Sequence, residues 1–107
     1  MAIKRIWHGW TTPENAEAYR MVLEREVRPG IEAKKIPGYR SLELLSRNLG
    51  EEVEFMTIMT FDSLENIIAL QGEDYERAYV PDAARYVLSR WDDVCVHYET
   101  AEGRESP

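Results

Sequence analysis

Hydrophobic positions in this chain switch between strand-like and helix-like spacing, and each switch marks an element. Ile3–Trp10 reads Ile-Lys-Arg-Ile-Trp-His-Gly-Trp, with apolar side chains on both parities of an extended chain, and stops at Thr11-Thr12-Pro13. Pro13 suits a first helical position and Thr12 can cap it. Ala16, Tyr19, Leu23 and Val27 then recur at helical spacing among Glu17, Arg20 and Glu24. Pro29-Gly30 is expected to disrupt this helix, with Ile31–Ile36 adding another turn, and Pro37-Gly38 is the next break. Tyr39–Arg47 and Val53–Phe61 read as two strands joined by a hairpin loop at Asn48-Leu49-Gly50-Glu51. Asp62 or Ser63 opens a second helix through Leu64, Ile67, Ile68 and Leu70, and Gly72 interrupts it. Asp74–Val80 suggests a further helical turn or two, and Val94–Thr100 a last strand. Asp82–Asp93 has no clear reading.

The order β-α-β-β-α-β predicts an α+β, ferredoxin-like fold: a four-stranded antiparallel sheet with both helices on one face. The strands, however, are apolar on both faces. Phe55, Met59 and Phe61 oppose Met56 and Ile58; Ile6 and Trp10 oppose Trp7; Val94, Val96 and Tyr98 oppose Cys95. A solvated sheet face reads as polar, so the helix-free face calls for a cover, and a second copy of the sheet is the simplest one. A homodimer is therefore expected.

Composition narrows the classes further. The chain has 107 residues, enough for one domain, expected over 1–100 with a loose tail at 101–107. A net charge of −7 without a basic stripe argues against nucleic-acid binding. No apolar run is long enough for a membrane span, and no signal-peptide pattern precedes the first strand. The single Cys95 fits a reducing, cytoplasmic setting.

Five short pieces, taken in order, carry a resemblance: Arg5-Ile6-Trp7-His8-Gly9, Thr12-Pro13-Glu14, Pro37-Gly38-Tyr39, Phe61-Asp62-Ser63-Leu64-Glu65 and Val96-His97-Tyr98-Glu99. The chain resembles the antibiotic biosynthesis monooxygenase-like group of the dimeric α/β-barrel superfamily over Ile3–Thr100. The resemblance implies two sheets facing each other across a dimer and a ligand held in each subunit between sheet and helices. Members of the superfamily include cofactor-independent oxygenases of polycyclic phenols, haem-degrading enzymes, isomerases, cyclases and proteins without known activity. Haem-degrading members carry a histidine ligand near the end of the second helical region. The matching stretch here, Glu76-Arg77-Ala78-Tyr79-Val80, has none, although Tyr79 could replace it in principle.

His8 is the candidate catalytic residue, because a histidine side chain can act as a general base toward a phenol or an acidic C–H. The resulting anion can pass an electron to dioxygen without a cofactor. The competing reading is a partly buried histidine bonded to backbone or to the dimer partner. Strand parity places Trp10 beside His8 and Trp7 on the opposite face. Trp10, Tyr19, Phe61, Tyr75 and Tyr79 are the candidate ligand-binding aromatics, Tyr75 and Tyr79 sharing a helix face by their spacing. His97 should lie near His8 in register on the neighbouring strand. With Glu99 the two histidines would make a metal-ligand set, yet the strand spacing and the lack of a second acid argue for no metal. Cys95 reads as an inert buried thiol. The leading expectation is a cofactor-free monooxygenase, an oxidoreductase, acting on an apolar or aromatic small molecule. A cyclase or isomerase, or a non-catalytic metabolite binder, would use the same pocket.

Overall fold

The computed structural model describes residues 2–104. Strand β1 (Ile3–Thr11) is the centre of an antiparallel sheet, paired on one side with β3 (Val53–Phe61), which in turn pairs with β2 (Tyr39–Asn48). On its other side β1 pairs with two short strands, β4 (Arg90–Trp91) at Gly9-Trp10 and β5 (Val96–Glu99) at Ile3–Ile6. The expected single last strand is thus split. Residues between β4 and β5 leave the sheet and pair instead with the segment after the second helix, through an Arg77–Val94 bridge, Ala78 N–H to Asp93 O and Cys95 N–H to Glu76 O.

The first helical region runs from a 3-10 turn at Pro13–Asn15 through α1 (Ala16–Val22) to α2 (Arg28–Ala33), with Thr12 Oγ1 accepting from Asn15 N–H. Pro29-Gly30 does not break it. A π-helical turn at Leu23–Val27, closed by Arg28 N–H to Leu23 O, widens the helix just ahead of the proline. That gives room where the ring would press on the preceding turn. Helix α3 (Leu64–Gln71) begins at Ser63, whose N–H donates to Asn66 Oδ1, and stops at Gly72, which takes a positive φ of 87°. Helix α4 (Asp82–Val87) occupies the stretch left unread in the sequence. Asp74–Val80 holds a single turn, closed by Arg77 N–H to Asp74 O, and no helix: Glu76–Ala78 bond to residues 93–95, a long-range pairing that periodicity does not reveal.

Burial settles which sheet face the helices cover. Arg5, Trp7, Gly9 and Thr11 on β1 and Phe55, Met59 and Phe61 on β3 are buried beneath them. The core falls into two groups. One holds Trp7, Tyr19, Phe55, Val80, Ala84, Leu88 and Cys95; the other holds Leu23, Leu42, Met59, Phe61, Ile67 and Leu70. The opposite face carries the alternate residues in registered rows, Leu45–Met56–His8 and Ile58–Ile6–Val96. Among the described residues no helix is long and apolar enough to cross a membrane. Residues 101–104 have no regular structure, and the rest of the expected tail, 105–107, lies outside the described residues.

A candidate ligand cavity between sheet and helices

Where the two core groups meet, they leave a cavity of about 620 Å³. Trp7 and Tyr19 line it from the first group, and Leu23, Leu42, Met59 and Leu70 from the second. Its size falls within the usual range for a small-molecule site, and its lining is mainly apolar. Trp7 lies across β1 because position 9 is glycine: a Cβ there would stand 2.6 Å from the Trp7 ring. The indole N–H donates to Asp92 O at 2.8 Å, so the ring is pinned at both ends. Tyr19 packs 6.4 Å from Trp7 and 4.8 Å from Phe55, centroid to centroid. Burial raises its phenol far above the ordinary range, so the hydroxyl stays protonated.

Thr57, Gln71, Arg5 and Cys95 bring polar groups to the cavity, and two of them, Arg5 and Cys95, are deeply buried. Arg5 is only 3% exposed, and its guanidinium donates from Nη1 to Tyr75 O and from Nη2 to Arg77 O at 3.3 Å. Nη1 also lies 2.9 Å from His97 Nε2, a contact that requires the ring nitrogen to accept. Burial, then the Arg5 cation, lowers the His97 pKa, with Glu76 pulling the other way. Cys95 is the second group. Burial raises its thiol, more than the neighbouring Arg5 lowers it, so the sulfur stays uncharged. The exposed side chains Glu26, Lys34 and Asp82 stand at the rim.

Of the aromatics expected at the site, Tyr19 lines the cavity wall and Tyr79 borders its mouth, 76% exposed. The other expected residues do not line it. Phe61 is completely buried in the second core group, packed 5.6 Å from Tyr39. Tyr75 and Tyr79 do not share a helix face: Tyr75 sits in a single turn and Tyr79 in the irregular stretch after it. Tyr75 sits edge-on to His97 at 5.3 Å in a separate depression.

His8 and Trp10 point away from the cavity, onto the helix-free face. Parity is right in pairing them: the rings stack at 6.0 Å and 21°. The helices, however, cover the Trp7 side of the strand. His8 Nδ1 lies 3.2 Å from Asp92 Oδ2 and Nε2 lies 3.8 Å from Glu54 Oε2. The Arg90 guanidinium caps Trp10 at 3.9 Å from the ring centroid. His97 opposes Arg5 rather than His8 and belongs to the helix-covered face. Sequence reasoning missed Arg5 and assigned Trp7 no ligand role. The one sequence signal was Gly9, on the same parity as Trp7, which leaves space for a ring to lie over the strand.

The fold is an α+β antiparallel sheet of ferredoxin-like connectivity, covered by helices on one face. No family model and no curated protein matches this sequence. Solved structures match it over nearly their whole length. A protein provisionally named antibiotic biosynthesis monooxygenase from Bacillus cereus superposes with a TM-score of 0.69 at 14% identity, covering 100% of this chain and 98% of its own. Rv0793 from Mycobacterium tuberculosis gives 0.63 at 15% identity, covering 98% and 100%. Another provisionally named antibiotic biosynthesis monooxygenase, from Chloroflexus aurantiacus, gives 0.60 at 16% identity, covering 98% of each chain. At such identities the likeness is one of fold.

Proposed function

We propose that this protein is a homodimer in which each subunit holds an apolar, aromatic small molecule between sheet and helices. We also propose that it oxygenates that molecule without a cofactor. The observation that carries the binding reading is the cavity itself, a gap of about 620 Å³ walled by Trp7 and Tyr19 in an otherwise packed core. The oxygenase reading draws support from the names of the structural neighbours. The position of His8 removes it as a base inside the cavity of its own subunit. With His8 outside the cavity, the acidic proton of a substrate such as an anthrone or a quinol must pass to water. The substrate's anion gives an electron to dioxygen, and anthrone becomes anthraquinone with release of water.

An oxygen electrode with anthrone tests this directly. Oxygen uptake that disappears when Tyr19→Trp fills the cavity supports the oxygenase reading. Turnover of a ligand that continues unchanged under nitrogen would instead identify a cyclase or isomerase. Retention of a ligand with no turnover would leave a binding protein.

A further inference from the structure

Arg5 is a cation in the wrong place for a cavity meant only for hydrocarbon. It stands on the helix-covered face of the central strand, 3% exposed, in a cavity lining shared with Trp7, Leu42, Met59 and the Cys95 thiol. A charge removed from water is costly unless an opposite charge or a full set of hydrogen bonds compensates it. Two backbone carbonyls and the His97 lone pair take three of its five N–H groups, which solvates the ion without neutralising it. Among the described residues no carboxylate lies within ion-pair distance of it. No oxygen or ring nitrogen takes the Nε–H or the second Nη2–H, which lie beside the Cys95 sulfur, and a carboxylate can pair with that part of the guanidinium. Their neighbour Cys95 is neutral and supplies no counter-charge.

We propose that the cavity's ligand is an organic acid, with an aromatic body against Trp7 and Tyr19 and its carboxylate on Arg5. This rests on the cavity being a ligand site and goes beyond it by assigning the charge and the end of the ligand that enters first. The overall charge of −7 and the rim acids Glu26 and Asp82 oppose an anion at long range. Those groups are exposed and screened by salt, whereas the Arg5 contact is made out of water, so the local term dominates.

Two matched probes test the assignment, 2-naphthoate and the neutral 2-naphthylmethanol, titrated into the intact protein by calorimetry. The acid is expected to bind at least about tenfold more tightly than the alcohol. Arg5→Gln is expected to abolish that preference while leaving the alcohol's affinity within a factor of about two. Should Arg5→Gln fail to fold, the Arg5 Nε–H signal of the unaltered protein in a ¹H–¹⁵N spectrum gives the answer. It should move on adding naphthoate and stay still with the alcohol. Equal binding of the two probes, or an Nε–H signal indifferent to naphthoate, overturns the acid assignment and leaves the cavity reading standing. Binding of neither probe overturns the cavity reading, and this inference with it.

Discussion

At the scale of single residues, the contact between Arg5 and His97 makes stability depend on pH. The folded chain holds His97 below its ordinary value of 6.5, by burial first and the Arg5 cation second, whereas the unfolded chain protonates it normally. The unfolded state therefore binds the extra proton, and stability falls as pH drops below about 6.5 until the folded value is passed. Urea midpoints at pH 7.5 and pH 5 should show this loss, and His97→Gln, which keeps an oxygen to accept from Arg5, should flatten it. A slope unchanged in the variant would assign the effect elsewhere. Gly9 makes a second residue-scale point. Gly9→Ala drives a methyl group into the Trp7 ring and the Leu88 side chain, 2.6 and 3.0 Å away. A loss of about 1–3 kcal/mol in unfolding free energy is expected, by the general cost of overpacking, together with weaker ligand binding as Trp7 shifts.

Elements formed by local signals are the ones that sequence reading recovers. β3 runs from Val53 to Phe61 as expected, α3 starts at Ser63, and Gly50 and Gly72 take the positive φ their turns need. Gly38 shows how closely such a signal can be tied to packing. It has a φ of 83°, and an added Cβ would overlap Asn66 Oδ1, the oxygen that caps α3. Gly38→Ala should therefore cost more than about 1 kcal/mol, visible in thermal unfolding, because both strain and a lost cap contribute. Elements formed by distant partners escape a local reading. Glu76–Ala78 are held by their bonds to residues 93–95, and the last strand divides for the same reason. The site was half legible. Parity paired His8 with Trp10, but both parities of β1 carry tryptophan, so nothing local says which one the helices cover. An arginine on the covered side runs against hydropathy and gave no signal at all.

For the whole molecule, the helix-free face is the dominant feature still seeking a partner. Leu45, Val96 and Tyr98 are 45%, 46% and 60% exposed there, beside the half-buried Ile6, Met56 and Ile58. Sedimentation equilibrium is expected to find a dimer, and Leu45→Arg with Val96→Glu to give monomers that remain folded. A monomeric parent protein at micromolar concentration would refute the proposed pairing. The His8–Asp92–Glu54 group lies on the same face, so its solvent access should fall on association.

The central position of β1 also governs when the fold can be completed. Ile3 pairs with Glu99, so one edge of β1 stays open until β5 has docked on it. A chain lacking β5 could still pair β1, β2 and β3 and yet leave Arg5 without His97. The cavity wall should then form only when β5 docks, in one late step that pulse proteolysis during refolding can time.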